Sequence, residues 1–411
     1  MSGAFFDALE TRSADAREAD LFARLPAQVA HAKSASPFYR RLLADIDPAG
    51  IASRAALARL PVTRKSELVE LQRAERPFGG LNATAPSSLA RILVSQGPIY
   101  DPEGKRPDYW RTARGLFAAG FRRGDIVLNC FSYHLTPAGS MLETGLHHLG
   151  CAVIPGGVGQ TELQARVIAD LAPAGYVGTP SFLKTILEKA GELGLSSACL
   201  KRALVSGEAL MPVVKAFLAE RGIAPFQAYA TADLGLVAYE SDAREGLIVN
   251  EDLVLEIVRP GTGDPVADGE VGEVVVTTFN ADYPLVRFAT GDLSAVLAGR
   301  SPCGRTNVRI KGWMGRADQT TKVRGLFVHP HQVAEVLRRH GLSRARLVVS
   351  NTDGADDMML RVERAGEDAA LGRAIETTLR DLMKLRGSVQ FVPPGSLPND
   401  GKVIEDTRRY S

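Results

Sequence analysis

A regular alternation of two kinds of segment between residues 60 and 240 constrains the fold more than any other feature. Short apolar runs at residues 125–130 and 151–155 suit buried strands, and segments at residues 140–148 and 160–171 have the period of helices. Strands joined by helices in this order pair in parallel, because each helix carries the chain back to the same end of the sheet. The pattern therefore predicts an α/β fold with a parallel sheet.

The segments on either side of this alternation have a different character. The first ninety residues predict helices with short breaks, and residues 60–68 predict the N-capped start of a helix. Residues 247–300 predict a β-rich segment with tight turns. A chain of 411 residues exceeds what one hydrophobic core usually serves, so we expect two domains of unequal size.

The C-terminal part of the chain has its own order of elements. Beyond Arg316 the pattern indicates a short strand followed by helix, strand, strand, helix and strand, at residues 330–340, 345–350, 358–363, 369–383 and 388–392 respectively. This order predicts a small α+β domain of roughly one hundred residues, which is a normal domain size. We place the boundary between residues 1–315 and residues 316–411.

Composition narrows the classes of partner. The 49 basic and 47 acidic residues give a net charge of +2 with no long run of either sign, which argues against nucleic acid and membrane surfaces as partners. The four cysteines are far apart and form no Cys-x-x-Cys pair, so we expect neither a zinc site nor a disulfide framework. No apolar run reaches about eighteen residues, and the charged N-terminus does not resemble a signal peptide. These features predict a cytoplasmic protein that acts on small molecules.

Three charged residues near turns are candidates for binding a nucleotide. Asp292 follows a strand and a Thr-Gly turn, where its carboxylate can accept two hydrogen bonds from a ribose diol. Arg316 can hold ribose or phosphate oxygens through its forked donors. Lys402 lies in a Gly-Lys turn near the C-terminus, and its mobile point charge suits a pentacoordinate phosphate. Taken singly, these residues are equally compatible with turn chemistry, a surface ion pair and a solvated lysine.

Several phrases along the chain together resemble one family. They are Ser-Pro-Phe-Tyr at 36–39, Leu-Pro-Val-Thr at 60–63, Ile-Pro-Gly-Gly-Val-Gly-Gln-Thr-Glu at 154–162, Ser-Gly-Glu-Ala-Leu at 206–210, Phe-Ala-Thr-Gly-Asp at 288–292, the 310–330 segment with Gly-Arg-x-Asp and Lys-x-Arg-Gly, and Leu-Pro-Asn-Asp-Gly-Lys at 397–402. Over nearly its whole length the chain resembles phenylacetate-CoA ligase and its relatives, the aryl-carboxylate branch of the adenylate-forming superfamily. The resemblance implies a large N-terminal domain that binds AMP and the acyl group, with parallel and mixed sheets and a small β-rich subdomain, followed by a small mobile α+β lid. It also allows a homodimer.

The resemblance implies a two-step reaction that uses ATP, Mg²⁺ and coenzyme A. A carboxylate attacks the α-phosphate of ATP to give an acyl-adenylate, and the thiol of coenzyme A then displaces AMP after the small domain rotates about a hinge at Asp318. Lys402 would stabilise the charge that develops in the first step. In the second step the hairpin with Lys322, Arg324 and Gly325 would approach the thiol, since Gly325 has no side chain to block it. The resemblance also assigns Glu208 to the cofactor site.

The chain departs from the family pattern in its phosphate-binding loop. Ser95 and Gly97 match the pattern, but the paired threonines of the family are replaced by Pro98 and Ile99, which supply no hydroxyl. A second alignment, in which the loop ends at residues 104–105, restores a cation but inserts extra residues. Both alignments remain open from the sequence.

A second departure concerns the magnesium ligand. The family phrase Tyr-Gly-x-Ser/Thr-Glu is represented here by Tyr-Ala-Thr-Ala-Asp at residues 229–233. Asp233 keeps the carboxylate, although its side chain is one methylene shorter than that of glutamate. We therefore expect it to bind Mg²⁺ with an adjusted geometry. Thr231 carries the hydroxyl of this segment and is expected next to the α-phosphate. Tyr229 is interpreted either as a stacking partner of adenine or as a core aromatic residue.

The acyl pocket is expected around two segments. Tyr133 could line a slot for a flat ring, and the glycines at positions 156 and 157 suit a backbone that approaches the substrate closely, although they also fit a plain loop. The favoured substrate is an aromatic acid, by analogy alone.

Three functions remain open from the sequence. The favoured one is an ATP-dependent ligase that joins an aryl carboxylate to coenzyme A. In the second, an adenylating enzyme delivers the acyl group to the thiol of a carrier protein. In the third, a noncatalytic protein binds a nucleotide or acyl-CoA and has a degenerate phosphate loop.

Overall fold

The computed structural model describes residues 3–317, 319, 321–324, 326–352, 355–400 and 402–408. Contacts between Cα atoms divide the chain into two compact units. The first unit comprises Met1–Leu255, Val276–Phe288 and Leu297–Trp313, and the second comprises Glu256–Val275, Ala289–Val296 and Met314–Ser411. Two short segments that precede Met314 thus belong to the second unit.

The helices and strands follow each other in the order that the hydrophobic pattern indicates. The α-helices are α1 (Ala14–Ala35), α2 (Pro37–Leu42), α3 (Arg54–Ala58), α4 (Leu68–Ala74), α5 (Ala113–Ala118), α6 (Ala138–Leu149), α7 (Thr161–Leu171), α8 (Pro180–Glu192), α9 (Pro212–Glu220), α10 (Pro330–His340) and α11 (Ala369–Met383). The strands of the first half are β1 (Thr63–Arg64), β2 (Arg91–Ser95), β3 (Ile99–Glu103), β4 (Ile126–Asn129), β5 (Ala152–Pro155), β6 (Gly175–Gly178), β7 (Arg202–Val205), β8 (Ala224–Thr231), β9 (Gly235–Glu240) and β10 (Leu247–Val249). The remaining strands are β11 (Leu253–Val258), β12 (Gly272–Thr278), β13 (Phe288–Ser294), β14 (Val296–Leu297), β15 (Arg309–Ile310), β16 (Thr321–Val323), β17 (Leu326–Val328), β18 (Ala345–Thr352), β19 (Ala355–Glu363), β20 (Ser388–Val392) and β21 (Ile404–Asp406).

A nine-stranded sheet in the order β14-β15-β10-β9-β8-β7-β6-β4-β5 dominates the first unit. The strands from β5 to β8 pair in parallel, and β9, β10 and β15 continue the sheet in antiparallel pairs. Helices α6 to α9 provide the crossovers that parallel pairing requires. The predicted α/β class is therefore confirmed, as a mixed sheet with a parallel part.

Two apolar clusters lie against the faces of this sheet. One contains Trp110, Phe117, Leu146 and Phe226. The other contains Ile168, Tyr176, Leu183 and Ala203. Strands that are covered on both faces read as continuous apolar runs, which explains why β4 and β6 are buried along nearly their whole length.

The N-terminal region contains helices, as predicted, but residues 60–68 differ from the prediction. Thr63 lies in strand β1 and donates its backbone N–H to the carbonyl of Arg287 at 3.0 Å, so the chain is extended where a helix cap was expected. A 3-10 turn, Lys65–Glu67, then leads into α4, which begins at Leu68 without a side-chain cap. The N-cap prediction was wrong because pairing with a distant strand overrides the local capping pattern.

The second unit contains the predicted series of C-terminal elements. Strands β18 and β19 pair antiparallel, and β20 and β21 flank them in parallel, in the order β20-β19-β18-β21. Helices α10 and α11 cover this sheet with an apolar stripe that includes Val333, Val336, Ile375 and Leu379, all fully buried. Burial of each such side chain contributes about 1.5–3 kcal/mol.

Candidate active site

The turn between β8 and β9 holds the candidate catalytic carboxylate of the first unit. Thr231 accepts a hydrogen bond from the backbone N–H of Leu234 at 3.1 Å and thereby closes the turn. Asp233 lies inside this turn with a fully buried carboxylate, and Lys65 donates to its Oδ2 at 2.5 Å. The other oxygen of Asp233, Oδ1, is buried without a hydrogen-bond partner. The turn thus presents one carboxylate oxygen with unused acceptor capacity.

Tyr229 lies on β8 at the base of the same turn. It is opposite Ala238 of β9, next to an irregularity of the pairing between residues 229 and 230, and only 8% of its surface is exposed. The burial fits the interpretation as a core aromatic residue. Its stacking on adenine stays a prediction.

The altered phosphate loop forms the antiparallel hairpin of β2 and β3. Ser95 pairs with Ile99 across the hairpin end, where Gly97 adopts a φ of 155°. The hydroxyl of Ser95 is buried without a hydrogen bond of normal geometry, and it lies near Asp101. The two residues that match the family pattern, Ser95 and Gly97, therefore lie together at the tip of the hairpin.

Sequence reasoning missed a second carboxylate in this hairpin. Asp101 lies opposite Leu93, is completely buried, and neither of its carboxylate oxygens has a hydrogen bond of normal geometry. Burial raises the pKa of Asp101, and the charge of Asp233 raises it further, to about 8, against the opposing effects of Ser95 and Lys65. Asp101 is therefore close enough to Asp233 for their charges to interact. The signal that could have revealed it is an aspartate at an inward position of a strand whose neighbours Ile99 and Glu103 also face inward.

Helix α4 and the turn before it connect the two carboxylates. Lys65, in the turn, bonds to Asp233, and Gln72, in the helix, bonds to both backbone groups of Tyr100 at 2.7 and 2.9 Å. Tyr100 precedes Asp101 directly. One short element thus fixes the β8–β9 turn at one end and the phosphate-loop hairpin at the other.

The predicted acyl segments also come together in the first unit. The ring of Tyr133 lies beside Gly157, where a Cβ atom would be 3.9 Å from Cδ2 of the ring. The hydroxyl of Tyr133 donates to Glu143 at 2.7 Å and accepts from Asn129 at 2.8 Å. Burial and Glu143 raise the pKa of Tyr133, so the phenol stays neutral. The result is a fixed ring against a glycine backbone.

A glutamine that sequence reasoning did not single out holds the glycine loop in place. Nε2 of Gln164 donates to the carbonyl oxygens of Gly156, Gly157 and Gly159 at 3.3, 3.0 and 2.8 Å, while its Oε1 accepts from the thiol of Cys130 at 2.6 Å. Gln164 is 3% exposed. A buried amide with this many partners is a rigid support for the loop.

Glu208 has a local partner in the structure. It is exposed, and its Oε1 accepts from the backbone N–H of Ser181 at 2.7 Å, at the start of α8. A carboxylate in this position satisfies a free N–H at the helix N-terminus. Its role in the cofactor site stays a prediction.

The second unit brings together two of the predicted nucleotide-binding residues. Nη1 of Arg316 donates to Oδ1 of Asp292 at 2.9 Å, and the two residues also form a β-bridge. Gly291, which directly precedes Asp292, has a φ of 75°, and a Cβ at this position would lie 2.7 Å from Nη2 of Arg316. A side chain at residue 291 would therefore strain the backbone and force the guanidinium to shift.

Lys402 lies in a cleft of the same unit with a volume of about 140 Å³. Arg316, Asp400 and Glu405 also line this cleft. The side chain of Lys402 is exposed, and its backbone N–H donates to Asp400 at 3.1 Å. The structure therefore places Lys402 and Arg316 on one cleft of the second unit.

Two further residues that sequence reasoning missed hold the loop of Lys402. Gln319 accepts from the backbone N–H groups of Val403 and Ile404 at 2.5 and 2.7 Å. The buried guanidinium of Arg346 bonds to Asp400, to the carbonyl of Pro398 at 3.0 Å and to Glu405 at 3.2 Å. Lys402, the predicted catalytic lysine, thus lies between residues that Arg346 holds on its N-terminal side and Gln319 holds on its C-terminal side.

The β16–β17 hairpin contains the residues expected to approach coenzyme A. Arg324 occupies the turn with a φ of 47° and donates to Asp356 through its backbone N–H and its Nε, at 2.9 and 2.8 Å. Lys322 pairs with residue 327 across the hairpin, and its side chain lies outside the described part of the structure. Asp318 and Gly325 also lie outside the described residues. Their predicted roles stay predictions.

Comparison with known proteins identifies the family. The profile of the AMP-binding enzyme family matches residues 109–280. Phenylacetate-coenzyme A ligase of Thermus thermophilus is 31% identical over 91% of this chain and 92% of its own length. This chain belongs to the AMP-binding enzymes, as an acid-CoA ligase of the phenylacetate-CoA ligase type. The resemblance seen in the sequence is confirmed.

Other relatives agree with this assignment. Phenylacetate-coenzyme A ligase of Escherichia coli is 29% identical over 96% of this chain and 95% of its own length. Among solved structures, an open conformation of 2-hydroxyisobutyryl-CoA ligase in complex with 2-HIB-AMP and CoA superimposes with a TM-score of 0.74 at 25% identity, covering 97% of this chain and 92% of that chain. Adenylate-forming ligases use ATP and coenzyme A, so these are the cofactors of the family to which the chain belongs.

A search of the described residues for membrane-spanning helices found none that is long and apolar enough.

Proposed function

We propose that this acid-CoA ligase activates an aromatic carboxylic acid of the phenylacetate or benzoate type. The observation that supports the aromatic substrate is the ring of Tyr133 beside the backbone of Gly157, in a loop that Gln164 fixes through three hydrogen bonds. A fixed aromatic ring next to a backbone without side chains suits packing against a flat substrate. The names of the curated relatives point to the same class of acid.

In the proposed first step, the described residues bind and orient a nucleotide. Asp292 accepts hydrogen bonds from the ribose diol, and Arg316, which is half exposed, contributes donors to the nucleotide oxygens. Thr231 lies next to the α-phosphate, and Lys402 stabilises the charge that develops there. The attacking carboxylate is already ionised, so positioning supplies most of the catalysis and no general base is needed.

Asp233 is the proposed ligand of Mg²⁺. The buried Oδ1 of Asp233 accepts no hydrogen bond. This oxygen is therefore available to bind a cation. When bound, Mg²⁺ would neutralise phosphate charge. The protein's own contribution is to hold Asp233 in position through the β8–β9 turn and Lys65.

In the proposed second step, the thiol of coenzyme A displaces AMP, with Lys322, Arg324 and Gly325 on the approaching hairpin, Asp318 as the hinge and residues 316–411 as the mobile lid. Delivery to a carrier protein instead of coenzyme A is the alternative outcome of the experiment below. The protein is also proposed to form a homodimer and to be located in the cytoplasm.

A mass-spectrometric assay tests these assignments. Pooled aryl, short aliphatic and hydroxy acids are incubated with ATP, Mg²⁺ and coenzyme A, and acyl-CoA and AMP are measured for the wild-type protein and for Lys402→Ala. We expect aryl-CoA and AMP from the wild type and a loss of at least about a hundredfold in the variant, since a cation aimed at developing charge contributes on this order. Lys215→Ala, which removes an exposed lysine of α9, is the matched control and should retain full activity.

The other outcomes discriminate between the remaining possibilities. A product that is a short hydroxyacyl-CoA would replace the aromatic substrate with one like that of the solved ligase. Accumulation of acyl-adenylate without acyl-CoA would favour a carrier-protein thiol as the acceptor. Absence of AMP with every acid would contradict the ligase activity and favour a protein that only binds its ligand.

A further inference from the structure

The β2–β3 hairpin contains a carboxylate whose chemistry the proposed reaction has not used. The family pattern places hydroxyl groups in this loop, whereas this chain has Pro98 and Ile99 at the tip and Asp101 on the following strand. Loss of the hydroxyls and of one backbone N–H weakens direct binding of phosphate. A buried carboxylate in the same hairpin would repel phosphate further unless a cation lies between them.

The two carboxylates of this region lack the partners that buried carboxylates normally have. Asp101 is fully buried, and Ser95 is near it, but neither of its oxygens has a hydrogen bond of normal geometry. Oδ1 of Asp233 is also buried without a hydrogen-bond partner. The hydroxyl of Tyr283 is also buried without a hydrogen-bond partner. Lys65 bonds to Asp233, and Gln72, on the helix that follows, bonds to Tyr100, the residue before Asp101, so one short element joins the two segments that carry these oxygens. Buried acceptors without donors are rare, and each one calls for an explanation.

A purely structural carboxylate on the same strand looks different. Glu103, two residues after Asp101, is equally buried, but it accepts from Arg91 at 2.6 Å and from Ser140 at 3.2 Å. The strand therefore has the means to satisfy a carboxylate through protein donors. Asp101 has no such arrangement.

We propose that Asp101 is a second ligand, beside Asp233, of a divalent cation through which the first unit holds the phosphates of its nucleotide. This inference rests on the proposed function, in which Asp233 alone binds Mg²⁺. Binding through a cation replaces the contacts that the altered loop no longer provides. Mg²⁺ is commonly held in this way, by one or two carboxylates together with waters and substrate phosphates.

The charges and the ligand count of the region agree with such a site. Lys65 is the cation that neutralises Asp233 in the structure, and its side chain is 22% exposed, so the pair is accessible from one side. With both aspartates ionised, the three groups carry one net negative charge, which favours a cation. No group of three or more metal-ligating side chains occurs within the described residues, so the nucleotide would have to complete the coordination shell.

Binding of Mn²⁺ to the full-length protein tests the inference independently of turnover. Free Mn²⁺ is measured by electron paramagnetic resonance during titration, in the presence of saturating α,β-methylene-ATP, for the wild type, Asp101→Asn and Glu103→Gln. We expect Asp101→Asn to weaken the binding of Mn²⁺ by about tenfold or more, since even groups outside the ligand shell contribute on this order. Glu103→Gln removes a carboxylate from the same strand and should change the affinity by less than about twofold. A wild-type affinity in Asp101→Asn would overturn the inference.

Two controls keep the result interpretable. Circular dichroism and thermal unfolding check the fold of each variant, and Asp101→Ser serves as a second variant with the same expectation if Asp101→Asn does not fold. The outcomes for the inference and for the proposed function are separate. Aryl-CoA synthesis by the wild type together with unchanged Mn²⁺ binding in Asp101→Asn would contradict only the inference, and weakened Mn²⁺ binding in a protein that makes no AMP would contradict only the proposed function.

Discussion

At the scale of single residues, the first unit shows how a buried carboxylate is stabilised when its role is structural. Glu10 is 1% exposed and accepts hydrogen bonds from Arg305 at 2.9 Å, from the hydroxyl of Tyr239 at 2.6 Å and from the backbone N–H of Phe6 at 2.7 Å. Every oxygen has a donor, which offsets the cost of removing the charge from water. Asp101 shows the opposite arrangement, and for this reason we assign it a role outside the architecture.

The ion pair between Asp7 and Arg114 provides a prediction on pH dependence. Two parallel hydrogen bonds of 2.8 and 2.7 Å join the groups. Burial opposes ionisation of Asp7, but the hydrogen bonds and charge of Arg114 outweigh it, so the pKa of Asp7 is lowered. A carboxyl whose pKa is lower in the folded state stabilises the protein above its unfolded pKa of about 3.9 and loses this contribution as the pH falls through the folded value.

We therefore expect Asp7→Asn to lower the free energy of unfolding by about 1 kcal/mol at pH 7, since the side chain of Asp7 is partly exposed and solvent screens the pair. The difference from the wild type should persist at pH 5 and shrink below about pH 4. Urea unfolding at several pH values measures it, with Asp45→Asn, an exposed aspartate, as the control. A difference that grows in acid would contradict the assignment.

At the scale of elements, the loop before Lys402 is held by side chains from outside its own strand. Gln319 supplies one oxygen to two successive backbone N–H groups, and Asn399 accepts from the backbone N–H of Val271 at 3.2 Å. Gln319 thus supplies an acceptor at the start of β21, in addition to the pairing of β21 with β18, and Asn399 joins the loop to Val271. The position of Lys402 therefore depends on residues that do not contact the nucleotide in the proposed reaction.

Gln319→Leu should loosen this loop. It leaves the N–H groups of Val403 and Ile404 without their acceptor, each at a cost of about 1–3 kcal/mol where they are buried. We expect faster hydrogen exchange at residues 403–404 and a fall in kcat of about tenfold, with little change in the KM for the carboxylic acid. Gln319→Glu keeps the acceptor oxygen and should retain slow exchange. Equal exchange in the wild type and Gln319→Leu would show that Gln319 does not position the loop.

The elements also show which features a sequence can predict. Helices α10 and α11 have the bounds predicted from the sequence, because their apolar stripes repeat with the helical period and face one sheet. The expected cap at residues 60–68 was wrong, because the pairing of Thr63 depends on a strand more than two hundred residues away. The contact of Lys65 with Asp233 was missed for the same reason, since no local pattern encodes which distant segments meet.

At the scale of the whole molecule, the chain has separate apolar cores in its two units. Ile168 belongs to a cluster on the nine-stranded sheet, and Ile375 belongs to the cluster between α10, α11 and the four-stranded sheet. Both side chains are fully buried. Separate cores allow separate cooperative units, each with its own free energy of opening.

The matched pair Ile375→Ala and Ile168→Ala tests whether stability is divided in this way. Each substitution should cost about 2–5 kcal/mol, as the loss of buried methyl and methylene groups does in other cores. In hydrogen exchange measured by mass spectrometry on the full chain, Ile375→Ala should accelerate exchange in β18 to β21 and leave β4 to β8 unchanged, and Ile168→Ala should have the converse effect. If either substitution accelerates exchange equally in both sheets, the two cores unfold as one cooperative unit, and the expected division of stability between them is wrong.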